Sequence, residues 1–322
     1  MNSLKVSVIV PTRNRHQMLK RCLESVVSSY STYAYDELIV VDNGSDEAEA
    51  KLNRQLADNS NAIHCYEPKP GLSFARNAGI KRAGGDIIVF ADDDFTVDKD
   101  WVKNLIPNYE DEQVVCCTGR MLPYRQDEAS SLFNRTMGYD RGDKKRIFTA
   151  DDISLFKLLK TVTLIGHMRL GGKTPVPWSI GAGFCSFRNC IFDKLGYFDE
   201  DLRVGSVSAG EDMDMFYRIL KAKHKIVYEP EAVVNHDDPQ AIEGVLKKSY
   251  TYGLHRQAVF AKYCKDPYML SCCLGSFFFS MFAWLTTTSK SESGERKVIT
   301  AGMKGFLNGF KKSWFKDTLS GR

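Results

Sequence analysis

The sequence predicts an α/β protein with a mainly parallel central sheet flanked by helices, followed by a helical C-terminal extension. Three observations carry this expectation. Short apolar runs alternate with stretches of helical periodicity, and several of those runs end directly in polar clusters. The composition, 43% hydrophobic and 26% charged over 322 residues, supplies a full core and excludes a disordered or fibrous chain. A formal charge of +4 is too small to indicate a nucleic-acid partner.

Lys5–Val10 is an apolar run closed by Pro11, and Arg15–Val27 then carries Met18, Leu19, Leu23 and Val26 at helical spacing, so a strand leads into a helix. Glu37–Val41 ending at Asp42, the shorter Ile63–Tyr66, Ile87–Ala91 ending at Asp92, and Val114–Thr118 read as further strands with helices between them. In a sheet wound this way, ligands sit beyond the carboxyl ends of the strands. The clusters Thr12–Asn14, Asp42–Ser45 and Asp92–Asp94 all follow strand ends and so converge on one crevice. Residues 124–175 break the rhythm and read as an insertion, with a helix over Ile153–Leu164 and then Gly171 and Gly172. From Val176 the pattern resumes with Gly181, Ala182 and Gly183, helices near Asn189–Leu195 and Glu211–Ala222, a strand over Lys225–Tyr228 and extended chain over Glu229–Asn235.

Charge is unevenly spread: residues 241–322 carry a net +8 and the rest of the chain −4. Met269–Thr288 lies in an uncharged run diluted by serines, threonines and a glycine, with basic flanks on both sides, which favours a shallow or interfacial placement over a bilayer crossing. Ile299, Met303, Phe306, Leu307, Phe310 and Trp314 share one helical arc, with Lys304, Lys311, Lys312 and Lys316 outside it, the pattern of an interfacial amphipathic helix. The alternative is that both segments pack on the rest of the chain or in a homo-oligomer. Nine cysteines without metal or redox spacing, and no signal-peptide layout in Met1–Val10, predict reduced thiols in the cytoplasm and an unused sequon at Asn134. The expected location is peripheral or monotopic, at an anionic membrane surface.

Asp92, Asp93 and Asp94 would repel one another at a strand end unless a cation or hydrogen bonds compensated them, and oxygen ligands suit Mn2+ or Mg2+. A solvated acidic turn is the plainer reading. Glu211, Asp212 and Asp214 open a helix after a glycine- and serine-rich loop, where acids serve either as helix-terminus charges or as a base that activates a hydroxyl.

Taken in order, these segments resemble the inverting nucleotide-sugar glycosyltransferases of family 2, which have the GT-A fold. The resemblance covers roughly residues 4–238. It rests on Val8–Asn14, Val40–Ser45, Gly71–Ile80, Gly85–Asp94, Gly181–Gly183 with Phe187 and Arg188, Gly196–Asp199, and Glu211–Asp212. It implies a catalytic domain over residues 1–238, with the 124–175 insertion as a variable acceptor region; the charge and hydropathy pattern reads 239–322 as a basic, helical, membrane-associated region. It further implies that Pro11, Thr12, Arg13 and Asn14 line the nucleotide pocket and that Asp42 accepts a hydrogen bond from the base. Arg76 pairs with phosphate or braces the aspartates. Asp92 and Asp94 form the DxD motif, around the variable Asp93, that holds the donor and an Mn2+ or Mg2+ ion. His236 adds a metal ligand, with Asp237 or Asp238 as substitutes. Gly181, Ala182 and Gly183 let backbone approach the donor sugar, with Trp178 stacking on it or packing in the core. Glu211 lies beside the donor, and Asp212, chosen over Glu211 and Asp214 by family precedent alone, is the base. The donor is then a nucleoside diphosphate sugar, with uridine as the expected base, and the acceptor a glycan or lipid-linked glycan of a surface polysaccharide. A sugar nucleotidyltransferase normally has a glycine-rich loop after the first strand, and none follows Pro11 here. A non-catalytic nucleotide-sugar-binding scaffold is the third reading.

Overall fold

The computed structural model describes residues 4–137, 140–154, 180, 184–204, 207–208, 210–286 and 293–320. The first half alternates as expected. The strands β1 (Val6–Thr12), β2 (Glu37–Asp42), β3 (Ile63–Tyr66) and β4 (Ile87–Phe90) are separated by helices α1 (His16–Ser29), α2 (Glu47–Asn59) and α3 (Leu72–Arg82). These four strands pair in parallel in the order β3-β2-β1-β4. Every residue of β1 and β4 is buried, which explains why both read as continuous apolar runs rather than alternating ones.

The second half is mixed. After β5 (Phe95–Val97), α4 (Trp101–Leu105) and a short 3-10 turn come β6 (Val114–Pro123), α5 (Glu128–Met137) and β7 (Arg146–Phe148). Next are β8 (Cys185–Arg188), α6 (Cys190–Leu195), the small hairpin β9 (Arg203–Val204) and β10 (Val207–Ser208), α7 (Glu211–Lys221) and β11 (Lys225–His236). The sheet continues β4-β8-β6-β11-β5, with β8 antiparallel to both neighbours, β11 parallel to β6, and β5 and β7 antiparallel to β11. Part of the 124–175 insertion therefore belongs to the sheet through β7. The helix expected over Ile153–Leu164 lies almost wholly outside the described residues, as do Gly171, Gly172 and Trp178.

Two apolar layers sandwich the sheet, one under α1 built on Val8, Val10, Leu19, Leu23 and Trp101, the other under α3 and α7 built on Ile9, Phe90, Phe187, Phe198 and Phe216. Gly79 lets α3 lie close on the sheet: a Cβ there would stand 2.6 Å from Ile9 Cγ2. The chain ends in three helices, α8 (Ile242–Lys262), α9 (Pro267–Thr286) and α10 (Ser293–Ser320). The uncharged run is helical over its described part, to Thr286, and no described helix is long and apolar enough to cross a membrane. Tyr268, Met269 and Cys272 of α9 are buried with Tyr217 and Val259, whereas Leu274, Phe278, Met281 and Leu285 are exposed.

Candidate active site

The loops after β1, β2 and β4 meet as the strand-end clusters predict. Asn43 N donates to Thr12 O at 2.9 Å, and Asn14 N donates to Ser45 Oγ at 3.0 Å. Asn14 takes a left-handed φ of 53°, which asparagine tolerates, and its side chain bonds Asp46 at 3.1 Å. Pro11 and Thr12 are buried at the end of β1, while Arg13 is exposed. Asp42 is fully buried and accepts from Ser45 N at 2.8 Å and Asn53 Nδ2 at 2.9 Å, so its observed bonds fasten the β2 loop to α2.

The Thr12 hydroxyl donates to Asp93 at 2.8 Å, and Arg15 Nη1 lies 3.1 Å from Asp93 and 3.6 Å from Asp94. The middle aspartate is thus the one turned toward the β1 loop. Arg76 is completely buried; it donates to Asp92 at 3.2 Å and to Glu211 at 3.4 Å, and forms a short contact with Asp212. Its guanidinium lies against the rings of Phe90 and Phe198, 5.4 and 5.5 Å from their centroids, which themselves meet edge-on at 5.8 Å. Asn77, the next residue on α3, bonds Phe198 N and O at 3.0 and 2.9 Å, which ties the Gly196–Asp199 segment down beside Arg76. The acids of β4 and the acids opening α7, far apart in sequence, share one buried cation.

Of the three acids on α7, Asp214 is removed from the site. It is fully buried and held by Arg218 at 2.8 Å, Lys262 at 2.5 Å and the Tyr263 hydroxyl at 2.7 Å. Burial pushes the Asp92 carboxyl up to about 6 and, reinforced by Asp94, Asp93 up to about 7. Burial and neighbouring Asp212 likewise push Glu211 up to about 7. Arg76 offsets part of the rise at Asp92 and Glu211, and Arg15 part of that at Asp93. Asp92, Asp93, Asp94, Glu211 and Asp212 outnumber the cations facing them, and this repulsion is what a further cation would relieve.

His236 ends β11 with Nε2 3.8 Å from Asp94 Oδ2, while Nδ1 lies 2.6 Å from Asp238 Oδ1. A carboxylate behind Nδ1 leaves Nε2 facing the aspartate, the orientation in which histidine ligates metal. Oxygen plus imidazole donors fit Mn2+ or Mg2+ on Asp94 and His236, with the rest of the shell open to phosphate and water. Among the described residues, no three His, Cys, Asp or Glu side chains close around a metal by themselves. Asp237 and Asp238, the alternatives to His236, are engaged elsewhere: Asp237 pairs with Arg21 at 2.6 Å and with Arg125, and Asp238 also accepts from Ser130 and Asn134 at 2.6 Å each. The Asn134 amide is therefore engaged in the fold. Gly181, Ala182 and Gly183 lie outside the described residues.

Sequence reasoning missed three basic side chains here. Arg15 sits one residue past the Thr12–Asn14 cluster. Lys248 and His255 lie on α8, where neither motif nor period sets them apart from surface charge. Lys248 Nζ stands 3.0 Å from His236 Nε2. His255, with its backbone oxygen 3.4 Å from where a Gly210 Cβ would be, is pushed down to about 4 by burial, against the opposing pull of Asp212.

The family described as glycosyl transferase family 2 matches residues 7–176. The O-antigen chain rhamnosyltransferase RfbN of Salmonella typhimurium is 26% identical over 235 residues, covering 72% of this chain and 66% of that one. The glucosyl-dolichyl phosphate glucuronosyltransferase of Haloferax volcanii is 31% identical over 124 residues, 37% of this chain and 39% of that one. Glycosyltransferase GlyA of Streptococcus pneumoniae is 28% identical over 156 residues, 48% of this chain and 21% of that one. The chain thus spans less than two thirds of the length of these relatives. Among solved structures, a mannosyltransferase from Pyrobaculum calidifontis in complex with GDP-Man and Mn2+ superposes with a TM-score of 0.60 at 15% identity, over 96% of this chain and 88% of that one. GalNAc-T7 with UDP, GalNAc and Mn2+ gives 0.54 at 16% identity, over 99% and 58%. At these identities the likeness is one of fold.

Proposed function

Because the chain belongs to glycosyl transferase family 2, is a glycosyltransferase and has the GT-A fold, we propose that it transfers a sugar, with inversion, from a nucleoside diphosphate donor to a hydroxyl of a glycan or lipid-linked glycan in surface polysaccharide synthesis. UDP is the proposed nucleotide. The single observation carrying this reading is Arg76, which gathers Asp92, Glu211 and Asp212 into one buried cluster beside Asp94 and His236.

Residues 1–238 form the proposed catalytic unit. Pro11, Thr12, Arg13 and Asn14 bind the nucleotide, beside a β2 loop that the buried Asp42 fastens in place through Ser45 and Asn53; Asp92, Asp93 and Glu211 serve the ribose, phosphates and sugar, a role proposed also for Gly181, Ala182 and Gly183. Asp92, Asp94 and His236 would hold Mn2+ or Mg2+, which when bound would supply positive charge against the departing diphosphate. Arg76 holds Asp92, Glu211 and Asp212 in one orientation and shields their mutual repulsion. Asp212 removes the acceptor hydroxyl proton as that oxygen attacks the anomeric carbon from the face opposite the diphosphate, and one displacement of this kind inverts the centre. Residues 239–322 dock the enzyme on an anionic membrane surface, where a lipid-linked acceptor would lie.

The test is a transfer assay across nucleotide sugars with and without Mn2+. Donor-dependent transfer that stops on chelation and returns with Mn2+ supports the reading; transfer indifferent to the chelator overturns its metal dependence. No ligand-induced rise in thermal stability with any nucleoside diphosphate, with Mn2+ present, would contradict the donor class.

A further inference from the structure

The C-terminal region contributes a cation to the crevice. Lys248, in the second turn of α8, places Nζ 3.0 Å from His236 Nε2. Behind that imidazole, Asp238 Oδ1 lies 2.6 Å from Nδ1, and the other Asp238 oxygen accepts from Ser130 Oγ and Asn134 Nδ2. A carboxylate so fixed keeps the ring proton on Nδ1, so Nε2 presents its lone pair. An ammonium has only N–H groups to offer and donates to it. Asp94 Oδ2 stands 3.8 Å from the same Nε2. Phe133 floors the arrangement, its ring stacked on the imidazole at 6.1 Å and its centroid 5.3 Å from Nζ. One corner of the crevice therefore holds a carboxylate, an imidazole lone pair and a lysine cation together.

We propose that Lys248 is a resident cation of this corner: it caps His236 and offsets Asp94 until a divalent ion binds, then releases Nε2 and turns to the diphosphate of the donor. The inference rests on the reading of Asp94 and His236 as metal ligands. His236 Nε2 has a single lone pair, so the lysine bond and a metal bond exclude each other. A compact ammonium on a flexible four-carbon stem can be displaced at little cost, whereas a planar guanidinium bonded at several points would resist. A diphosphate brought to the metal would offer the released charge new anionic acceptors, so metal and diphosphate binding would reinforce each other through this side chain.

The experiment titrates the full-length protein with Mn2+, following loss of the free-ion paramagnetic resonance signal, first alone and then with UDP. Lys248→Met is expected to bind Mn2+ about tenfold more tightly than the unsubstituted protein without nucleotide, because one charge-assisted hydrogen bond no longer competes. UDP should enhance Mn2+ binding less in the variant than in the parent. Equal Mn2+ affinity in both, or equal enhancement by UDP, overturns the proposal. Mn2+ binding that Asp94→Asn and His236→Ala leave unchanged overturns the ligand reading itself, and the proposal with it. Should Lys248→Met not fold, reductive methylation of the parent protein read by peptide mass spectrometry decides. Mn2+ alone should accelerate labelling of Lys248 and added UDP should slow it again, and a labelling rate indifferent to Mn2+ contradicts the proposal.

Discussion

Arg76 is wholly buried, faces three carboxylates and rests against two phenyl rings, so its removal would strand Asp92, Glu211 and Asp212 in an apolar setting. Arg76→Met should cost about 3–5 kcal/mol in denaturant unfolding, and Arg76→Lys should recover only part of it, since an ammonium cannot span the same acceptors. A loss below about 1 kcal/mol would mean that the acids do not depend on this cation. The strand-end acids and Arg76 were legible in the sequence because each sits in a short polar cluster at the end of an apolar run or in a distinctive local string. Lys248 and His255 were not: one basic residue on a long helix has no sequence signature, and its burial is decided by which helix packs over which loop. The same packing engages Asp214 with Arg218, Lys262 and Tyr263, away from Arg76, which spacing alone left open.

Helices α8 and α10 meet through glycines. A Cβ on Gly253 would stand 2.1 Å from Gly302 O, and one on Gly305 would stand 2.0 Å from Tyr250 O. The apolar arc read from the sequence is therefore divided: Phe306 and Phe310 pack edge-on against Phe260, at 6.2 and 5.4 Å, while Leu307 is exposed. Gly305→Ala should push the helices apart and destabilise the chain by about 1–3 kcal/mol. Lys304→Ala, at an exposed site on the same turn, is the control and should leave stability nearly unchanged. Equal stability of the two variants would contradict the seam. Strand positions were legible from apolar runs, but strand direction was not, because side-chain alternation is the same either way. Hence β8, antiparallel between β4 and β6, differs from a simple wound sheet, and the three-residue β5 was too short to register.

At the scale of the whole molecule, the net +8 of residues 241–322 and the exposed Leu274, Phe278, Met281 and Leu285 predict binding to vesicles of anionic lipid that weakens as salt rises and that Phe278→Ser with Leu285→Ser reduces. Salt-independent binding, or none in a sedimentation assay, would contradict membrane docking. His255 contributes one component to the pH response of stability, and Asp92, Asp93 and Glu211, raised in the folded chain, contribute the opposite sign over an overlapping range. The folded value of His255 lies near 4, below an unfolded value of 6.5, so the unfolded chain takes up a proton first. The stability it contributes is complete above about pH 6.5 and is lost as pH falls toward 4, by up to about 3 kcal/mol. His255→Phe should remove that component, so that the difference in stability between variant and parent shifts in favour of the variant as pH falls from 6.5 to 4, and a difference that does not change with pH would refute the assignment. Beyond these properties, the proposed transfer depends on the α7 acid beside Arg76 acting on the acceptor. The most direct test is Asp212→Asn, assayed for sugar transfer and for nucleotide binding in the same buffer. A fall in turnover of about 10²–10⁴-fold with nucleotide and Mn2+ binding retained is the predicted result, and turnover equal to the parent enzyme would contradict it.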